Sequence, residues 1–229
     1  MIYGVTIDGV NTLTQYGLAL LDEVSVGAPE QKTEYIDVPG GNGQLDLSTA
    51  LTGGQPVFYN REISFSLLFL KAVTGRQLTE AGYDTLYWDI VNTFHGKICT
   101  LAFPWDTTKT FSGRISVGQK SGRTGMWTIP ITMDAEPLRQ SATETTTAKS
   151  VGTSNTSVSV TNNGMAVVPT LTSTRATTIT YNGGQTYSLT ANTATVVPGL
   201  ILAHGSNTFT AKATGGTATL TIKYRETSF

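Results

Sequence analysis

The chain has 229 residues, a formal net charge of −1, 39% apolar residues and 24 glycines, a near-average globular composition that excludes wholesale disorder and a fibrous repeat. Nothing approaches the about 18 unbroken apolar residues of a membrane helix, since the greasiest stretch, Ile63 to Leu70, contains Ser64 and Ser66 and stops at Lys71. A lone cysteine, Cys99, excludes an internal disulfide, and with two histidines the chain has too few ligands for a structural zinc site.

From the amino terminus, MIYGVTIDGVNT has no basic segment followed by an apolar run, so no Sec signal is read there and synthesis in the cytoplasm is expected. Residues Pro39 to Gln55 (PGGNGQLDLSTALTGGQ) carry glycine pairs at both ends and little core pattern, which predicts a long projecting loop or arm between strands. Ile63, Phe65, Leu67 and Phe69 then alternate with polar residues and predict a half-buried strand. Leu86/Tyr87, Ile90/Val91 and Phe94 recur at helical spacing, with Asp84 or Thr85 able to cap the start and His95-Gly96-Lys97 ending the helix.

Two further alternating runs follow. Phe111, Ile115 and Val117 make one, and Trp127, Ile129, Ile131 and Met133 the other; they predict a hairpin turning at Gly118 to Gly125. Pro130 lacks a donor, so its strand is expected at a sheet edge or with a bulge.

Composition changes after Glu144. Up to that residue there are fifteen acids and ten bases (−5); beyond it one acid, Glu226, and five bases (+4). Residues 141–229 hold 24 threonines and no tryptophan, whereas Trp88, Trp105 and Trp127 all lie earlier. Two domains are the simplest reading, 1–140 and 141–229, joined by the polar run Ser141 to Ser157 as a linker leading into a strand. The second domain reads as seven strands, Ser157–Val160, Met165–Leu171, Thr177–Tyr181, Gln185–Leu189, Thr193–Val197, Asn207–Ala213 and Thr217–Tyr224, with glycine and proline turns between them. The fold class is mainly β, with two β-sandwich-type domains, the first carrying one α-helix and a long projecting loop.

Chemistry-bearing residues are sparse. His95 and His204 lie in different domains without a nucleophile motif, and read as a helix stop and a loop residue. Asp134 and Glu136 share a strand face at a spacing too short for two carboxyls flanking a sugar bond. The glycines of PGGNG are followed by neither a helix nor GKS/GKT. Cys99 sits between apolar neighbours as a buried small residue, and the sequon Asn155-Thr156-Ser157 has no secretory context. No catalytic, cofactor or metal constellation survives, and an interaction or structural role leads.

The order of features, IYGVTIDGVNT, the PGG loop, NREISFSLLFL, a helix ending in HGK and a strand running into DAEPL, resembles the amino-terminal domain of distal tail proteins of long-tailed, non-contractile bacteriophages. NNGMAVVPTLT followed by VVPGLILAHGSNTFTAKATGGTATLTIKYRE is similar to the galectin-like or carbohydrate-module-like sandwich that closes many of them. The resemblance covers essentially the whole chain.

It implies a non-enzymatic virion protein at the tail tip, assembled in the host cytoplasm as a homohexameric ring, single or paired. The ring would join the tail-tube protein and tape-measure end to the tail-tip hub or tail-associated lysin and to receptor-binding or side-arm proteins. DNA would pass through it without specific binding, which the acidic first domain suits. Pro39, Gly40, Gly41, Asn42, Gly43, Gln44, Leu45, Asp46 and Leu47 become the candidate inter-subunit arm. In residues 141–229 the likeness to galectins implies at most weak glycan contact: His204, Asn207 and Arg175 match no complete motif, and Tyr181 and Tyr187 are the substitute stacking platforms. A major tail-tube protein with an appended sandwich, and a free carbohydrate-binding module or adhesin, are the rival readings.

Overall fold

The computed structural model describes residues 2–21, 23–52, 54–70, 78–123 and 126–229. Strand accounts for 51% and helix for 9%, so the class is mainly β. The chain divides into two compact units, Met1–Arg139 with Phe229, and Gln140–Ser228.

The first unit runs β1 (Thr6–Ile7), β2 (Val10–Asn11), α1 (Thr12–Tyr16), β3 (Leu18–Leu20), β4 (Ser25–Val26), β5 (Tyr35–Asp37), β6 (Gln44–Asp46), β7 (Arg61–Leu70), α2 (Glu80–Phe94), β8 (Ile98–Phe103), β9 (Asp106–Val117), β10 (Ser121–Arg123) and β11 (Met126–Ala135); β12 (Arg139–Ser141) follows. Its main sheet has the order β2-β1-β8-β9-β11-β7-β3, with β4 also on β7 and β10 on β11. The alternation in β7 does what its sequence dictates: Ile63, Phe65, Leu67 and Phe69 are buried, and Ile129, Ile131 and Met133 of β11 join them. Each such side chain contributes roughly 1.5–3 kcal/mol of hydrophobic stabilisation.

β11 is a central strand, with β7 on one side and β9 on the other, so Pro130 does not mark an edge. A bulge is present, but on the facing segment and not on the strand of Pro130. Val117 faces Ile131 and Ser121 faces Thr128, so three residues, 118–120, oppose two, 129 and 130. The missing donor of Pro130 faces this bulge. The anticipated turn is therefore partly strand, β10, and its last two residues, Thr124 and Gly125, lie outside the described residues.

Helix α2 begins earlier than the apolar spacing suggests. Thr79 is its N-cap, accepting from the Gly82 amide at 3.2 Å, while Thr85 donates to Ala81 O within the helix and Asp84 pairs with Lys120. The stop is as read: His95 is the C-cap and Gly96 has φ 75°. Tyr83, Ile90 and Phe94 are its buried face, Tyr83 meeting Phe69 edge-on at 4.9 Å. The five-residue α1 has no counterpart in the sequence reading. Its cap is Asn11, whose Oδ1 accepts from Leu13 and Thr14 amides, and Gly17 ends it at φ 71°.

The second unit runs β13 (Thr145–Val151), β14 (Thr156–Asn162), β15 (Thr170–Ser173), β16 (Thr177–Tyr181), β17 (Gln185–Leu189), β18 (Thr195–Val196), β19 (Gly205–Ala213), β20 (Ala218–Tyr224) and β21 (Thr227–Ser228). Two four-stranded antiparallel sheets, β13-β20-β15-β18 and β14-β19-β16-β17, enclose a core that includes Val158, Leu171, Ile179, Phe209, Leu220 and Ile222. Its three buried polar residues are paired: Asn162 Nδ2 donates to Met165 O and Leu202 O, and Ser173 and Thr177 hydroxyls bond at 2.7 Å.

The polar run Ser141–Ser157 is not a linker. Its middle seven residues are β13, paired in register with β20 from Thr145↔Tyr224 to Val151↔Ala218, and its last two open β14. As an edge strand it buries only Val151 fully, which removes the apolar alternation by which strands are recognised. Threonine's β-branched side chain suits it to that place.

Candidate assembly arm

The segment expected to project is an antiparallel ribbon. Near its stem, Tyr59 N donates to Glu30 O and Lys32 N to Val57 O, each at 2.8 Å, with a bridge between Gln31 and Phe58. Further out, Leu47 N donates to Glu34 O and β5 pairs with β6 in the register Tyr35↔Asp46, Ile36↔Leu45, Asp37↔Gln44. The intervening turns from Thr49 close on themselves, the amides of Thr52 and Gly54 both donating to Thr49 O; Gly53 lies outside the described residues.

At the tip, Val38 O accepts from the Gly41 amide, and Gly40 (φ 76°) and Gly43 (φ 83°) adopt the left-handed backbone that turns the chain through Pro39 and Asn42. A strand, not a helix, follows PGGNG, so no phosphate cradle forms. Gln44 Nε2 donates to Asp37 Oδ1 at 2.9 Å across the strands. Asp46 accepts from both the hydroxyl and the amide of Ser48, which holds its carboxyl below the usual range, and Ser48 Oγ in turn accepts from Glu34 N.

All six residues of β5 and β6 are exposed. Alternation puts Ile36 opposite Leu45 on one face and Tyr35, Asp37, Gln44 and Asp46 on the other. The ribbon is thus amphipathic: Ile36 and Leu45 stay 47% and 52% exposed, and Val38 beside the tip 48%. A two-stranded ribbon is marginal in water by itself and gains most from a surface laid against its apolar face. Of the nine candidate residues, Pro39 to Gly43 form the tip, Gln44 to Asp46 the strand and Leu47 its last hydrogen bond. Tyr35 and Ile36 belong to the same ribbon, Ile36 on its apolar face and Tyr35 on the other. The sequence reading stopped short of them because three residues carry too little alternation to be recognised.

Other candidates are used by the fold. His95 Nδ1 accepts from Val117 N at 3.0 Å. Asp134 lies across from Glu62 on β7 and Arg114 on β9. Burial, then the nearby Asp8, push the Cys99 thiol up to about 11. In the second unit, Asn207 ties down the turn Ala203–Gly205, His204 Nδ1 lies 3.1 Å from Gly164 O, and Arg175 reaches Gly215 O at another turn. Tyr181 is not a sugar platform: it is buried, and its hydroxyl donates to Pro198 O. Tyr187 packs partly buried against the same core. Among the described residues no three metal-ligating side chains cluster, and no helix is long and apolar enough to cross a membrane.

No family model and no curated protein matches the sequence. A solved structure does: SPP1 Dit (gp 19.1), a paradigm of the hub adsorption apparatus in phages that infect Gram-positive bacteria, superposes with a TM-score of 0.60 over 98% of this chain and 99% of that one, at 16% identity. The chain shares the fold of SPP1 Dit. The match covers residues of both units, at an identity where sequence comparison alone is silent.

Proposed function

We propose that this chain is a structural, non-enzymatic component of a phage tail tip. Six copies form a ring at the distal end of the tail, joining the tail tube to the tail-tip hub and receptor-binding apparatus. The observation that carries the reading is the amphipathic ribbon Tyr35–Asp46, with Ile36 and Leu45 in solvent, on a chain with the fold of a hub protein. A ring repeats one heterologous contact until it closes, and a projecting ribbon laid on a neighbour supplies such a contact. The first unit faces inward in this reading, where its acidic balance keeps transiting DNA from binding, and the threonine-rich sandwich docks other tail proteins outside.

Native mass spectrometry and electron microscopy test it. Wild-type protein should give a closed ring of about six times 24.4 kDa, or a pair of rings. Ile36→Asp combined with Leu45→Asp, or deletion of residues 41–54, should release folded monomers. A ring that survives both removes the ribbon from the mechanism. Monomers of wild type at high concentration overturn autonomous assembly, and indefinite tubes identify a tail-tube protein instead.

A further inference from the structure

Arg61, the first residue of β7, is 7% exposed and has an incomplete set of partners. Its Nη1 donates to Gly27 O at 3.2 Å, and the guanidinium lies over the Phe111 ring, 4.8 Å from the centroid. Nε and Nη2 are buried and without a hydrogen-bond partner. These two nitrogens form the side edge of a guanidinium, where two N–H bonds run parallel at the spacing of a carboxylate's oxygens. A buried cation with that edge unfilled is destabilising until an anion meets it. Burial first, and then the like charge of Arg139, lower its pKa, and an anion against the guanidinium offsets both effects.

Among the described residues no carboxylate is bonded to these two nitrogens. The nearby acid, Asp106, is held by Arg139 at 3.1 Å and by the Thr108 hydroxyl and amide. Phe111 also lines a cavity of about 370 Å³, together with Val26, Trp105, Asp106, Lys109 and Arg139. Among the described lining residues two cations stand against one acid, which makes the wall attractive to anions. Trp105 is 65% exposed and stacks flat on Phe103 at 4.7 Å, leaving an open aromatic face beside those charges.

We propose that Arg61 anchors a carboxylate-binding site beside this cavity: Nε and Nη2 take the two oxygens side-on, Arg139 and Lys109 add long-range attraction, and Trp105 supports the ligand's apolar flank. The carboxylate comes either from a small molecule or from an acidic side chain of a peptide, and the probes separate the two. This site is independent of the ring.

The test is the full-length protein labelled at arginine Nε, titrated at constant ionic strength with sodium acetate, with a capped glutamate dipeptide and with sodium phosphate. The buried Arg61 Nε–H resonance should move downfield and saturate with acetate or the dipeptide, and the melting temperature should rise over the same range. Tighter binding of the dipeptide assigns a peptide source, and equal binding assigns the small anion. Arg61→Lys should lose the saturable stabilisation because an ammonium lacks the parallel pair of donors. An unmoved resonance in wild type, a larger response to phosphate than to acetate, or a rise in melting temperature equal in Arg61→Lys would each overturn the proposal.

Discussion

The Gly118 amide donates to the Pro130 carbonyl at 2.8 Å, and a Cβ built on Gly118 would stand 2.8 Å from Pro130 Cγ. A proline is thereby accommodated inside a central strand: the residue opposite has no side chain, and the bulge removes the need for its N–H. Lys120, two residues on, lies over the Trp127 ring at 4.9 Å and pairs with Asp84 of α2, so the bulge also ties the hairpin to the helix.

Gly118→Ala should destabilise the first unit by ~1–3 kcal/mol through overpacking. Because the obstacle is a side chain, Pro130→Ala should relieve part of it, giving a coupling of at least ~0.5 kcal/mol in a double-mutant cycle followed by urea denaturation. Additive losses would mean that the ring and the glycine do not compete for space. Gly113→Ala differs, since its Cβ would stand 2.3 Å from Asp134 O, and no side-chain truncation should rescue it.

Phe65 is 3% exposed and meets Phe103 edge-on at 5.9 Å. Phe65→Ala should lower stability by ~3–5 kcal/mol, the range for a large aromatic truncated in a core. An unchanged denaturation midpoint would contradict the register of β7.

Capping separates Thr79 from the residues that sequence spacing suggested. Thr79→Ala removes the acceptor for the Gly82 amide and should reduce stability by ~1 kcal/mol. Thr85→Ala, which loses only a bond within the helix, should leave thermal stability nearly unchanged. The two melting curves measured side by side decide whether the helix starts at Glu80.

Cys99 gives a pH dependence with a definite sign. Folded, it keeps its proton to about pH 11, whereas its ordinary value is 9.0. Between those values the unfolded chain binds fewer protons than the folded one, so stability falls as pH rises through this window and is unaffected by the thiol below it. Cys99→Ala should flatten the decline in denaturation midpoint from pH 9 to 11, and wild type should resist thiol reagents at pH 8 until denatured. Rapid labelling of the native protein at pH 8 would place the sulfur at the surface.

Strongly periodic elements were legible without coordinates. In β7, β9, β11 and α2 the buried side chains are the periodic ones, and β16 and β17 run over the predicted residues, because a half-buried element writes its orientation into the chain as a period of two or 3.6. The likeness to distal tail proteins rests on the same order of elements. What the chain could not reveal depends on partners distant in sequence. β13 is a strand because β20 stands beside it, not because its own residues alternate between core and water. Pro130 lies in mid-sheet because a bulge in β9–β10, set by Gly118, meets it there. The first part of the expected loop at Pro39–Gln55 is a ribbon because Tyr35–Asp37, outside those limits, pairs with Gln44–Asp46. Arg61 reads in sequence as an ordinary charge before a strand. Only packing against Phe111, with Gly27 claiming one nitrogen, leaves its side edge buried and without a hydrogen-bond partner. Local periodicity records which way a residue faces; what stands opposite is set by contacts between distant segments, and these leave no pattern in a single sequence.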